Sequence, residues 1–199
     1  MKRVNKSQSS LFYERHLFFF YLKKSILSVK FIVCVILLLI PIFQLLYNLE
    51  FMFIENQRGV DKEIFWINFT GISDGILLLT SVIMAADIVS GEFSNRSAMI
   101  VYATESRYKI LTIKSLCLII SIFILMLFYF SAIFIMIFIK TDLLVSTHIY
   151  IAGFLLNFIE MMVYSSLTFM ISALTRSISL SFIFPFFYIL IDPFLEILN

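Results

Sequence analysis

Apolar residues occur along this chain in long runs separated by short charged stretches. Several runs reach the roughly 20 residues that a helix needs to cross a bilayer core of about 30 Å. They cover residues 31–49, 66–89, 115–139, 149–174 and 178–198. The pattern predicts an all-α, polytopic transmembrane bundle with about five crossings.

Composition supports a membrane protein and argues against a soluble enzyme. The chain is 61% hydrophobic and 14% charged, whereas soluble domains are about half apolar and about a quarter charged. A net charge of +2 is too small to favour nucleic acid as a partner. We expect one transmembrane domain over residues 1–199, with an N-terminal segment at 1–30 and a polar loop at 90–114.

Lysine and arginine lie mostly on one side of the predicted membrane. Twelve of the 15 precede the first run, lie between the second and third runs, or lie between the fourth and fifth. The positive-inside rule places that side in the cytoplasm. The N-terminus is therefore predicted to be inside and, with five crossings, the C-terminus outside.

Particular segments carry further expectations. Residues 10–24 are aromatic and basic, and are predicted to form an elbow at the inner interface. Hydroxyl and amide side chains in the second crossing predict a face packed on protein. The third crossing has almost no polar side chain, so we predict that it has the most extensive contact with lipid. Cys34 and Cys117 lie in apolar runs, so we interpret both as small buried residues and not as a disulfide or metal ligands.

The polar loop carries the most informative motif. Asp87 ends the second run, Ser90-Gly91 predicts a break, and Glu92-Phe93 opens a short helix. Ser90 and Ser106 are of the type that caps helix N-termini. The short helix is predicted to present Phe93, Met99 and Ile100 beside Arg96 below the membrane, and the chain re-enters after Lys114.

This loop resembles the permease subunits of type 2 ABC exporters. In that family an acidic residue ends the second helix, a Gly-Glu or Glu-Phe pair opens a coupling helix, and a Ser-Arg pair and a lysine precede the third helix. The matching positions are Asp87, Gly91, Glu92, Phe93, Ser106, Arg107 and Lys114. The resemblance implies a coupling helix that contacts a separate ATPase, with Arg96 also in that contact. Within that family, the chain looks most similar to the small permeases that export, or confer immunity to, bacteriocins, lantibiotics and amphipathic peptide toxins.

The chain also departs from that family. Arg96-Ser97 stands where the coupling helix usually has Gly-Thr, and no proline precedes Ser106-Arg107. Family members normally have six crossings, against the five predicted here. A plain solvated connection with anchoring charges is the alternative interpretation of the loop.

Acidic and amide side chains inside the crossings form a second candidate site. Asp74 and Glu160 fall in the outer halves of their helices, with Asn157 near Glu160. Ionisable groups in hydrocarbon are costly and usually face a partner or a water-filled cavity. They either join helices through hydrogen bonds or line a path for cationic peptides.

The resemblance implies one function, and the residues leave another open. The first is the transmembrane subunit of an ATP-driven exporter in a bacterial plasma membrane, paired with a second permease copy or paralogue. No Walker-type phosphate loop occurs in the sequence. ATP and Mg would therefore bind the partner ATPase, and this chain would itself be no enzyme and hold no cofactor. The alternative is a gradient-driven carrier or membrane assembly factor.

The predicted topology can be tested by cysteine labelling in a background with Cys34 and Cys117 replaced. With the N-terminus inside, an impermeant thiol reagent added to intact cells should label Asn56→Cys and not Ser94→Cys. Permeabilised cells, the control, should label both. The reverse pattern in intact cells would show that the orientation is wrong.

Overall fold

The computed structural model describes residues 6–55, 75–86, 88–94, 106–141 and 147–198. These residues form helices joined by short turns, with no β-strand among them. The helices are α1 (Lys6–Ile26), α2 (Val29–Glu55), α3 (residues 75–86), α4 (Ser90–Ser94), α5 (Arg107–Thr141), α6 (Thr147–Thr175) and α7 (Ile178–Leu198). The predicted all-α architecture is confirmed.

A bend of 47° separates α1 from α2. It falls at Leu27 and Ser28, where the Ser28 hydroxyl accepts a hydrogen bond from the Phe31 amide at 3.2 Å. This is the arrangement of an N-cap, which satisfies an amide that the first turn of a helix leaves unpaired. Pro41 lies within α2, beyond the bend.

Helix α1 packs lengthwise against the first turns of α5. Tyr21 of α1 shares a buried cluster with Ile113 and Cys117 of α5. Further along both helices, the hydroxyls of Ser25 and Ser121 lie 2.9 Å apart. The residue numbers of the contacting positions rise together along both helices, so the two helices run in the same direction.

Helix α5 is the centre of the bundle and packs against α1, α2 and α6. Its contact with α6 is antiparallel and rich in aromatic rings. The ring of Phe130 lies 5.3 Å from that of Phe154 and 5.4 Å from that of Tyr150. Residues of α5 also supply the largest share of the buried core, which includes Leu118, Ile122, Leu125, Met126, Tyr129, Phe130 and Ile133.

The prediction that the third crossing has the most lipid contact is therefore wrong. In the span Arg107–Met136, 44% of the most apolar stretch is buried, against 22% in Tyr150–Thr175. Helix α5 carries apolar side chains on every face, and one of these faces packs against other helices. Helix α6 exposes more apolar surface, including Leu156 and Ile159.

Buried hydroxyls mark the packed face of α3, as the sequence predicted. Thr80 and Ser81 are fully buried. Each donates to a carbonyl three residues earlier in its own helix, at 2.7 Å. This back-bonding satisfies a hydroxyl where water is absent. Cys34 and Cys117 are likewise buried and free, as expected.

Several helices are long and apolar enough to cross a membrane. Within the described residues three meet that test, namely Gly75–Phe93, Arg107–Met136 and Tyr150–Thr175. The bent α1–α2 pair makes a fourth if it counts as one broken span, and Ile178–Tyr188 of α7 is a shorter apolar helix. The structure thus supports a multi-pass membrane protein, while the fifth crossing and the orientation remain predictions.

The packing of α5 predicts different effects for two neighbouring phenylalanines. Phe130 is buried and Phe128 is 41% exposed. Phe130→Ala should lower the free energy of unfolding by about 3 kcal/mol, near the low end for buried phenylalanine because lipid or detergent replaces water around the bundle. Phe128→Ala should change it by less than about 0.5 kcal/mol. Unfolding in mixed micelles measures both, and equal losses would contradict the packing.

Candidate functional site

A buried ion pair joins the short helix α4 to the central helix α5. The Nζ atom of Lys114 lies 2.5 Å from Oε2 of Glu92, and the Tyr21 hydroxyl donates to Oε1 of Glu92 at 3.0 Å. The relative exposures are 1% for Lys114, 5% for Glu92 and 8% for Tyr21. The cluster therefore connects α1, α4 and α5 through buried polar contacts.

Lys114 also connects α5 to the end of α3. Its Nζ donates to the carbonyl of Ile88 at 2.9 Å, and lies 5.3 Å from the centroid of the Tyr21 ring. Ile88 lies in the turn that follows α3, where carbonyls lose their partners within the helix. A lysine at the C-terminal end of a helix meets the negative end of its dipole. One ammonium group thus holds the α3–α4 turn in place.

Different contacts hold the other side of α4. The Ser90 amide donates to the Ser172 hydroxyl of α6 at 3.0 Å. The Arg176 guanidinium lies 5.0 Å from the centroid of the Phe93 ring. Arg176 has a φ of 54°, a left-handed conformation that is unfavourable for a residue with a Cβ atom. It lies between α6 and α7, so α4 touches the turn between those helices.

The structure brings together part of the predicted coupling set. Gly91, Glu92 and Phe93 lie on α4, and Lys114 meets Glu92. Arg107 is exposed in the first turn of α5, about two turns before Lys114. Asp87 and Arg96 lie outside the described residues.

Local expectations for this loop differ from the structure in three ways. Glu92 faces the bundle and is buried, although the short helix was predicted to face a partner. The Ser90 hydroxyl donates to the Ala86 carbonyl at 2.6 Å, a contact with the preceding helix that was not predicted. Lys114 lies inside the span Arg107–Met136 and not in a loop before it. Ser106 directly precedes α5 and its carbonyl accepts from the Ile110 amide, while capping by its side chain stays a prediction.

The second candidate site is distant from α4. Asn157 is buried and donates to the Gly153 carbonyl of its own helix at 2.9 Å. Glu160 is half-buried. It precedes Ser172 by 12 residues along α6, or about 18 Å at 1.5 Å per residue. Asp74 lies outside the described residues, so a path shared by Asp74 and Glu160 stays a prediction.

Sequence reasoning missed several participants. Tyr21 was one aromatic residue among many in α1, and Ser172 was one hydroxyl among many in α6. Arg176 was used only to predict the orientation of the chain in the membrane. For Arg176, the available sequence signal was its position between two apolar runs. For Tyr21, it was the polar hydroxyl of a ring that is expected to be buried. Neither signal identifies a partner.

A cavity of about 160 Å³ adjoins the ion pair. We call it the elbow cavity because it lies inside the bend between α1 and α2. Its walls come from α1, α2, α5 and the α3–α4 segment. The residues that line it are Tyr21, Lys24, Ser25, Ser28, Lys30, Met84, Ile88, Gly91, Glu92, Lys114 and Cys117.

Comparison with protein-family models, curated proteins and solved structures finds no match. The described side chains include no group of three or more His, Cys, Asp or Glu able to hold a metal ion. The class of protein is therefore assigned from the sequence and the structure alone. It is an all-helical protein with several apolar helices compatible with a multi-pass membrane location, and with a buried polar cluster around α4.

The ion pair predicts a non-additive effect of mutation. Lys114→Met or Glu92→Gln alone leaves the other charge buried, so each should lower the free energy of unfolding by about 3 kcal/mol. The double variant leaves no buried charge and should lose at least about 1 kcal/mol less than the sum. Unfolding of all four proteins in mixed micelles gives the coupling, and strict additivity would show that the charges do not interact.

Proposed function

We propose that this chain is the transmembrane subunit of an ATP-driven exporter in a bacterial plasma membrane. The observation that carries the proposal is the position of α4. This helix of five residues contacts α6 and α7, while Glu92 connects it to α1 and α5. A short helix held in this way, in the loop that resembles an exporter coupling loop, is suited to passing a movement to several spans at once.

The buried ion pair is central to the proposed mechanism. Because Glu92 and Lys114 are both withdrawn from water, separating them is unfavourable. A push on α4 would therefore move α5 and α1 with it. Such a rigid-body shift between two arrangements is a common form of switching. Glu92 would act inside the bundle by transmitting the movement, and would not itself touch the ATPase.

The surface that meets the ATPase would be at the start of α5. Arg107 is exposed there, and its neighbour Tyr108 is 85% exposed. Aromatic and arginine side chains are enriched at interface hot spots. The partner ATPase would bind ATP and Mg, and a second permease copy or paralogue would complete the transporter. Asp87 and Arg96 belong to the same proposed contact.

The proposed substrate is a peptide or other amphipathic molecule. Asn157 and Glu160, with Asp74, are the candidate residues of its path. Glu160 is only half-buried within a span that is largely exposed. An acidic group there would favour a cationic peptide.

One observation favours the alternative of a gradient-driven carrier. The Glu92–Lys114 pair lies within candidate spans and beside the elbow cavity. Intramembrane ionisable pairs occur in proton relays of pumps and transporters. A carrier of that kind would transport substrate in proteoliposomes with a proton gradient and no ATPase. The exporter proposal requires that such proteoliposomes remain inactive until the ATPase and ATP are added.

The coupling role of Arg107 is tested with the chain purified together with its native ATPase. Arg107→Ala should reduce stimulation of ATP hydrolysis about tenfold, the size of effect expected on losing a hydrogen bond from a charged group. Lys23→Ala, an exposed cation of α1 outside the proposed contact, should leave stimulation unchanged. Co-purification is scored separately, so lost binding is distinguished from lost coupling. Unchanged stimulation by Arg107→Ala, or failure to recover any ATPase, would refute the assignment.

A further inference from the structure

We propose that the exposed face of α2 meets a second copy of this chain, with the two Gln44 carboxamides hydrogen-bonded to each other across the interface. The proposal assigns a surface to the second permease copy that the exporter function calls for. It rests on the exporter proposal only for the expectation of such a copy, because the physical reasons require no more than a chain that lies in a membrane.

The position of Gln44 along α2 places it inside the hydrocarbon of a membrane. Helix α2 continues beyond Gln44 to Glu55. The nearest charged residues on either side are Lys30, 14 residues earlier, and Glu50, six residues later. At 1.5 Å per residue they lie about 21 Å and about 9 Å away along the helix. A glutamine side chain is too short to reach water over either distance.

Gln44 is exposed on a face of α2 that otherwise carries large apolar and aromatic side chains. Its neighbours on this face are Ile36, Ile40, Phe43 and Tyr47, which are 51–72% exposed. The Gln44 carboxamide forms no hydrogen bond with any other described residue. Moving an amide out of water without a new hydrogen bond is costly, so Gln44 is unfavourable against lipid alone.

Polar side chains of α6 are satisfied within their own helix. Asn157 donates to the Gly153 carbonyl at 2.9 Å. The exposed hydroxyl of Ser166 donates to the Val163 carbonyl at 2.8 Å. Because Ser166 already has a partner, the exposed face of α6 suits lipid. The exposed face of α2 differs, since Gln44 still needs one.

A second copy of the chain supplies the complement of Gln44. A carboxamide carries both donors and an acceptor, so two of them can pair reciprocally. Copies inserted with the same topology carry Gln44 at the same depth. A two-fold axis along the membrane normal brings the same surface of both copies face to face. Glutamine side chains hydrogen-bond across membrane helices in this way, and Ile40 and Phe43 would pack beside the pair.

Energy transfer between copies tests the contact. The full chain, labelled at its amino terminus with a donor or an acceptor dye, is reconstituted in phosphatidylcholine vesicles and diluted in lipid to obtain the dimer dissociation constant. Gln44→Leu should raise this constant about tenfold, the effect of losing an interhelical hydrogen bond. Gln44→Asn keeps the carboxamide and should retain more of the affinity. Ser166→Ala removes an exposed polar group from α6 and should have no effect.

Cysteine cross-linking locates the interface. In a background with Cys34 and Cys117 replaced, Phe43→Cys should give a disulfide-linked dimer on mild oxidation in the same vesicles. Val163→Cys is the matched control, because Val163 is 57% exposed on α6 and Phe43 is 63% exposed on α2. The control should stay unlinked.

Each outcome decides the proposal. Weaker association of Gln44→Leu, with cross-linking confined to Phe43→Cys, supports it. A chain that stays monomeric at every dilution would leave α2 to lipid or to a different protein and overturn it. A dimer that Gln44→Leu does not weaken, or that cross-links equally at Val163→Cys, would also overturn it. Should Gln44→Leu fail the micelle unfolding assay, cross-linking alone decides. No ATPase is present, so a failure here is distinct from failure of the exporter proposal.

Discussion

The buried ion pair between Glu92 and Lys114 is the constraint on which the arrangement at this end of the bundle depends. Removing a charge from water carries a penalty of several kcal/mol per ion, which a partner must offset at close range. Lys114 therefore requires the α4 segment beside it, and the hydroxyl of Tyr21 requires α1 to lie against both. Three segments distant in sequence are fixed together, α4 and α5 by the ion pair and α1 by the hydroxyl that Tyr21 donates to Glu92.

Long apolar runs identified the helices, but they did not identify which helix is central. On α5, Ile122 and Leu125 face the core of the bundle, while Phe123 and Leu127 are partly exposed. All four are apolar, because a lipid-facing surface and a packed surface have the same composition. The sequence contains no contrast between them. Helix α3 was interpreted correctly because Thr80 and Ser81 provide that contrast, since a hydroxyl is rarely directed at lipid.

The candidate site was predictable in part, for similar reasons. A charge beside a helix break drew attention to Gly91 and Glu92. Lys114 was assigned to the loop on the assumption that a charge marks the end of a span. That assumption fails when the charge has a buried partner, and the partner lies 22 positions away in sequence. Contacts with Tyr21 and Arg176 depend on how α1 and the α6–α7 turn pack, which no local pattern specifies.

The contacts on the two sides of α4 differ in strength, and this difference indicates how α4 would move. Toward α1 and α5 it is held by a buried ion pair, whose disruption costs about 3–5 kcal/mol. Toward α6 and α7 it is held by a neutral hydrogen bond of about 1 kcal/mol and an exposed cation–π contact of about 0.5–1 kcal/mol. The left-handed backbone of Arg176 belongs to the C-cap of α6, where its amide donates to the Ser172 carbonyl at 3.2 Å. In the proposed switching mechanism the weaker side would separate first, so α4 would move as one body with α1 and α5 and away from the turn between α6 and α7.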